Sequence, residues 1–411
     1  RGYRWLRVLR RSPDWHSFLC SILAAKKGMP RPGKELLVAA EIAAFNKLTT
    51  PRRDPFQVWL KDWADIRGDK GEPETLCSRA TFTLELQRTA RELIRGQKFD
   101  EDKELARVRF PSTSANYINS RSGGGAVESV LSPGLIKAGP YIPTLETDEN
   151  LVPIQIIERE RGRVPRHVVV DTEPLKERFG ILAGRIREHA LVEDPVAVPL
   201  GLAEALKVRV ITKGPPMLMT LLKPFQQFMR RILSNHPIFE LTGRTIDAEY
   251  IQSRLGKRLG PAQRFLSVDY SDATNEIHSW CSEVVALELC KELGVSGEFT
   301  SLLLRSLTGH TIEYDGVQAP QLTGQLMGSV TSFIFLCIVN ATICRWAIEI
   351  DRDQKLLLRD CPLAINGDDA VFRVKEIGRR AWIKIAGVAG MSPSVGKVYF
   401  SSQFLNMNSA T

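Results

Sequence analysis

Two stretches decide the fold: residues 264–275, RFLSVDYSDATN, and residues 363–372, LAINGDDAVF. In the first, the apolar run 265–268 reads as a buried strand that delivers Asp269 at its exit. In the second, β-prone runs at 362–365 and 370–374 flank Asn366-Gly367, which is expected to make the turn of a hairpin carrying Asp368 and Asp369. A strand end and a hairpin tip can meet in one sheet and bring the three carboxylates together. Such clusters repel themselves and persist as anions around divalent cations. Two cations about 3.5–4 Å apart are the usual device for in-line displacement at phosphorus. The chemistry indicated is nucleotidyl transfer. Gly-Asp-Asp by itself is no more than a hairpin turn, so the order and spacing of its neighbours carry the weight.

Between the acidic sites lies GQLMGSVTSFIFLCIVNATICRW, residues 324–346. Gly328-Ser329 reads as a flexible loop, and 333–344 as a buried helix too short and too polar to span a bilayer. Glycine lets backbone approach a ligand closely, and a helix N-terminus attracts phosphate. A phosphate-binding P-loop is a poor match here, since no Lys follows the glycines. Upstream, KVRVITKGPP at 207–216 alternates basic and β-branched residues, so a strand would place Lys207, Arg209 and Lys213 on one face. Taken alone that face suits a solvated edge strand. Downstream, GMSPSVGKVYF sets Lys397 beside another β-like segment.

Read in order, KVRVITKG, DYSDATN, LMGSVTSF, NGDD, SVGKVYF and FLNMNS resemble motifs F, A, B, C, D and E of viral RNA-dependent RNA polymerases. The similarity is greatest to the ourmia-like (botourmiavirus) and narna-like lineage, and FPSTSANYINSRSGGGA at 110–126 is similar to a finger-region segment of those enzymes. Together the motifs cover residues 105–409. The resemblance implies RNA-templated RNA synthesis from NTPs, replicating a positive-strand RNA genome, with template and product RNA as partners. It implies Mg2+, or Mn2+ in its place, on Asp269, Asp368 and Asp369. Lys207, Arg209 and Lys213 would hold the triphosphate and Lys397 would be the general acid. Asn275, Gly328, Ser329, Ser332 and Asn340 would contact nucleotide or template, although Asn340 lies far enough along its helix to suit a packing role equally. The chain departs from the family at two positions: Asn275 stands where Asp is usual, and Asp272 where a small residue is usual. The implied fold is α+β, a right hand with an antiparallel palm sheet backed by helices, α-rich fingers and a thumb missing or incomplete. Residues 1–104 are expected to form a mostly helical N-terminal region, 105–264 the fingers, and 265–411 the palm, with 277–323 partly returning to the fingers. Two other classes stay open: a polymerase-fold RNA-binding protein without activity, and a metal-dependent nuclease or reverse transcriptase.

Composition agrees with a globular catalytic protein: 411 residues, 43% hydrophobic, 25% charged. The net charge of +9 is unevenly placed. Residues 201–264 carry eleven Lys or Arg against four acids, and residues 1–50 ten against three. A basic stripe just ahead of the catalytic acids suits an RNA channel. Arg1, Arg4, Arg7 and Arg10 recur at helical spacing, which fits a docked surface helix, an RNA contact or an interfacial membrane helix. Seven cysteines without Cys-x-x-Cys pairing argue against zinc and for free thiols in a reducing compartment, the host cytoplasm, with membrane association left open. No signal peptide or transmembrane span is expected.

Overall fold

The computed structural model describes residues 28–53, 57–61, 76–105, 111–131, 173–239 and 247–407. The basic segment at 1–10 lies outside them.

In chain order the first half comprises α1 (Lys34–Thr49), β1 (Gln57–Trp59), β2 (Leu76–Ser78), α2 (Arg79–Ile94), α3 (Glu101–Leu105), α4 (Gly125–Leu131) and α5 (Glu173–Val192). Then follow β3 (Val196–Glu204), β4 (Lys207–Lys213), α6 (Pro216–Leu221), α7 (Lys223–Asn235), α8 (Ala248–Leu255), β5 (Arg264–Val268), β6 (Tyr270–Ser271) and α9 (Ala273–Glu276). The rest is α10 (Ser279–Leu293), α11 (Gly297–Leu307), β7 (Thr311–Tyr314), β8 (Val317–Pro320), α12 (Ser332–Arg352), β9 (Leu363–Asn366), β10 (Asp369–Val374), α13 (Glu376–Val388), β11 (Ser392–Pro393) and β12 (Tyr399–Ser401). The class is α+β.

The sheet that matters runs β12-β5-β10-β9, antiparallel throughout. Its residues alternate between two faces. Leu266, Val268, Ala370, Phe372, Leu363 and Ile365 enter the main core, where α12 and α13 cover them. Ala364, Val371 and Phe265 face the other way, into a small cluster with Leu255 of α8 and Met407. The hairpin turn sits one residue later than expected. Asp369 pairs with Asn366, so Gly367-Asp368 are the turn residues, and Gly367 takes the positive φ of 67° that a glycine-first hairpin turn requires.

A second sheet has the order β4-β3-β7-β8, with β3 and β7 parallel. Segment 277–323 therefore sends its hairpin to the sheet that carries the basic strand, while α10 packs on α2 and α12.

Helix α12 is longer than the 333–344 expected because its C-terminal charges are matched rather than exposed. Arg345, 0% exposed, donates to Glu92 at 2.7 Å and to Thr89 Oγ1 at 2.8 Å, and Glu349 accepts from Arg88 at 2.9 Å. Both sets of partners lie on α2, so the two helices are bound through a buried ionic seam. Among the described residues α12 is the one helix long and apolar enough to cross a membrane, but 94% of its apolar window is buried inside the protein.

Candidate active site

Asp269 follows β5 directly, and the registers of the sheet fix what lies beside it. Continued one step past Ala370–Val268, the β10–β5 register sets Asp369 opposite Asp269. On its other side the chain before β12 makes a turn at 395–397, and Lys397 reaches Asp269 from that turn with its side chain. Asn366, Asp369 and Asp269 thus form a row across one end of the sheet, with Asp368 in the adjoining turn. Lys397 Nζ closes on the Asp269 carboxylate at 3.2 and 3.4 Å. The Asp269 carbonyl accepts from Ser394 N at 2.9 Å, which ties the Lys397 loop to the strand end.

Electrostatics links four of the candidates. The Asp368 carboxyl is pushed above its ordinary range, chiefly by burial. A backbone N–H opposes that shift, the Asp269 charge adds to it, and Lys397 and Arg209 oppose it. A buried carboxyl that feels a like charge and two cations is a site where charge is concentrated by design of the fold. The full three-carboxylate cluster expected from sequence is not assembled, however. Among the described residues no group of three or more His, Cys, Asp or Glu is placed to hold a metal ion. Asp269 and Asp368 lie close enough for the charge of one to act on the other, and the two could hold an ion together. That pair still fits Mg2+, which is commonly bound through one or two carboxylates together with substrate phosphates and water.

The basic strand β4 is the edge of its sheet, as its charge pattern alone suggests. Arg209 donates through Nε to Glu204 at 2.7 Å and is close enough to Asp368 to act on its carboxyl. Lys207 begins the strand, and Lys213 ends it opposite Val198. Gly328 does not behave as part of a free loop. Its N–H donates to Thr212 Oγ1 of β4 at 3.0 Å, and a Cβ there would lie 1.7 Å from the Thr212 carbonyl oxygen. Only glycine permits that approach. Ser329 Oγ lies 3.2 Å from Thr331 Oγ1, and the buried Ser332 Oγ has no partner among the described residues.

Two candidates are placed otherwise than the resemblance implies. Asn340 is fully buried behind the hairpin turn, where its Nδ2 donates to the carbonyls of Gly367 at 3.0 Å and Asp368 at 3.1 Å. It has no surface to offer a nucleotide, and the packing role is the one that its geometry supports. Asn275 is also buried, and its Nδ2 donates to Asp272 Oδ1 at 2.8 Å. Asp272, at the left-handed φ of 52°, is the more exposed of the two and carries the charge.

Sequence reasoning missed Lys47. From α1 it reaches Asp272 at 2.7 Å and Glu276 at 3.2 Å. Arg52 adds a clamp by donating to the carbonyls of Glu276 and Gly390. Neither residue sits in a recognisable motif, and no local signal marks them. Thr212 was hidden in a different way, on the strand face opposite the three cations.

No protein-family model matches the chain. A curated relative does: the RNA-dependent RNA polymerase of Ourmia melon virus (isolate Melon/Iran/VE9) is 28% identical over 359 residues, 79% of this chain. The chain is similar to a viral RNA-dependent RNA polymerase. The resemblance read from the six motifs therefore holds at the level of aligned sequence. The chain spans 38% of that relative's length. Among solved structures, the crystal structure of the RNA-dependent RNA polymerase of a human picorbirnavirus aligns with 52% of this chain and 42% of that one, at 16% identity and a TM-score of 0.40.

Proposed function

We propose that this chain carries the catalytic core of an RNA-dependent RNA polymerase, joining NTPs to an RNA 3′-hydroxyl to copy a positive-strand genome. The observation that carries the reading is the nearness of Asp269, Asp368 and Lys397 at one sheet end, with Arg209 close enough to act on Asp368, from four segments whose sequences resemble polymerase motifs in order. In this reading the β12-β5-β10-β9 sheet is the palm and β4-β3-β7-β8 belongs to the fingers.

Asp269 and Asp368 would hold the divalent cation, Mg2+ or Mn2+, with Asp369 beside them. When bound, such an ion lowers the pKa of the attacking hydroxyl and neutralises phosphate charge. Arg209 grips the incoming triphosphate, its planar fork matching two phosphate oxygens at once, and Lys207 and Lys213 add positive charge along the same strand. Lys397 Nζ, released from Asp269, donates a proton to the departing pyrophosphate oxygen. The Gly328-Ser329 loop, fixed on β4, couples the triphosphate strand to the start of α12, where Ser332 orients ribose or template. Template and product RNA follow the basic surface contributed by residues 201–264.

Primer extension on an RNA template with Mg2+ and NTPs tests the reading. Asp368→Ala and Asp269→Ala should each lower turnover by at least about 100-fold at unchanged thermal stability, the scale expected when a group acting on the transition state is removed. Equal incorporation of dNTPs on the same template would favour a reverse transcriptase. RNA binding without extension by the wild-type protein would favour an inactive RNA-binding protein.

A further inference from the structure

We propose that Asn340, Tyr270 and Trp382 are positioning residues: a buried hydrogen-bonded chain that sets the Gly367-Asp368 turn, and with it the Asp368 carboxylate, relative to Asp269. The inference rests on the polymerase reading above and deepens it.

The chain is continuous. Trp382 Nε1 of α13 donates to Tyr270 Oη at 2.9 Å, and Tyr270 Oη donates to Asn340 Oδ1 at 3.0 Å. Asn340 Nδ2 then donates to the two turn carbonyls at 3.0 and 3.1 Å. Cys344 Sγ supplies the second contact to Asn340 Oδ1 at 3.3 Å. Each group uses its full capacity: two amide donors, two contacts at the amide oxygen, one hydroxyl donor and one hydroxyl acceptor. The amide has therefore a single consistent orientation, with Nδ2 towards the turn.

The placement argues for a role beyond packing. Asn340 stands in a helix of otherwise mostly apolar residues, where Leu or Met would fill the same space without a polar group to satisfy. What the amide adds is a grip on the carbonyls of Gly367 and Asp368. Tyr270 is the residue after Asp269, so the hydroxyl that orients the amide is anchored to the other carboxylate. The relay thus joins the backbones of both acidic residues through side chains alone. Phe333 holds the turn from a second point on α12, its ring Cε2 lying 3.0 Å from where a Cβ on Gly367 would be. A turn gripped in this way keeps its carboxylate in place without a third acid.

The test is Tyr270→Phe, which removes one hydroxyl at almost constant volume, with Trp382→Phe and Asn340→Asp beside it. Three quantities are read on each protein: Mn2+ affinity by calorimetry without nucleotide, the half-saturating Mg2+ concentration and NTP KM in primer extension, and the thermal midpoint. Outer partners of metal-holding side chains typically change metal affinity or activity by roughly 10- to 100-fold. Tyr270→Phe should weaken Mn2+ binding and raise the Mg2+ requirement towards the lower end of that range, with NTP KM unchanged. Asn340→Asp, which sets an oxygen against two carbonyls, should do so more strongly. If Tyr270→Phe lowers the thermal midpoint but leaves Mn2+ affinity and Mg2+ requirement as in the wild type, the chain only packs the core and the proposal is overturned. A wild-type protein that neither binds Mn2+ nor extends a primer overturns the proposal and the polymerase reading together.

Discussion

At the scale of single residues, the departure at Asp272 and Asn275 turns out to be a pair. The Asn275 amide donates to the Asp272 carboxylate, and Lys47 holds its other oxygen. A carboxylate is thus kept in this region, moved three positions along the chain. Asn275→Asp would set two carboxylates against each other where a 2.8 Å hydrogen bond now stands, so it should lower the thermal midpoint rather than sharpen sugar choice. Asp272→Ala should reduce the preference for NTP over dNTP. A hydrogen bond to a charged acceptor is worth roughly 1.5–3 kcal/mol and Ala removes it altogether, so the change should be at least about tenfold. Incorporation ratios for both variants decide the matter, and an unmoved ratio in Asp272→Ala would place sugar sensing elsewhere. Arg209 allows a second expectation. Arg209→Lys keeps the charge but loses the fork, which should raise the apparent NTP KM by about tenfold, with smaller effect on turnover. An unchanged KM would mean that the edge strand merely faces water.

At the scale of elements, one buried carboxylate ties the end of α5 to the start of α6. Glu193 accepts from Met217 N at 3.1 Å and Leu218 N at 2.9 Å, at the start of α6, just past the exit of β4. Burial pushes its carboxyl up to about 7. Because the folded value is raised above the ordinary 4.5, ionisation costs the folded state free energy above pH 7, and that cost fades as pH falls from 7 towards 4.5. Glu193→Gln removes the charge but also turns one accepting oxygen into an amide donor, so relative to the wild type its thermal midpoint should be more favourable at pH 8 than at pH 5. A gain of equal size at both values would mean that charge is not the cause. Much of this architecture was legible beforehand. The strand ending at Asp269, the hairpin with Asp368 near its tip and the basic strand were all readable, because period-two apolar runs and a Gly turn are local signals. The turn position slipped by one residue because Asn-Gly and Gly-Asp are both acceptable turn pairs, and pairing with β5 decides between them. The true end of α12 was illegible for a different reason. Arg345 and Glu349 look like a helix running into solvent until α2 is brought against them.

At the scale of the whole molecule, one core joins residues from α2 to α13, and the described thiols sit within it. Six cysteines are buried as thiols, and burial pushes Cys77, Cys337 and Cys361 up to about 12. In a Cys20→Ser background, maleimide labelling at pH 8 should be slow for all six and become fast only in denaturant. Rapid labelling of any one of them in the native protein would show that its part of the core opens. The seam between α2 and α12 has a consequence for how the chain is made. Arg345 and its partner Glu92 are 253 residues apart. A ribosome adding ~5–20 residues per second needs about 13–50 s to cover that distance. For that interval Glu85, Glu92 and the apolar face of α2 wait without the helix that will cover them. Nascent chains are thus held open from the N-terminal side, and α12, made so much later, closes a core whose first wall was laid down long before.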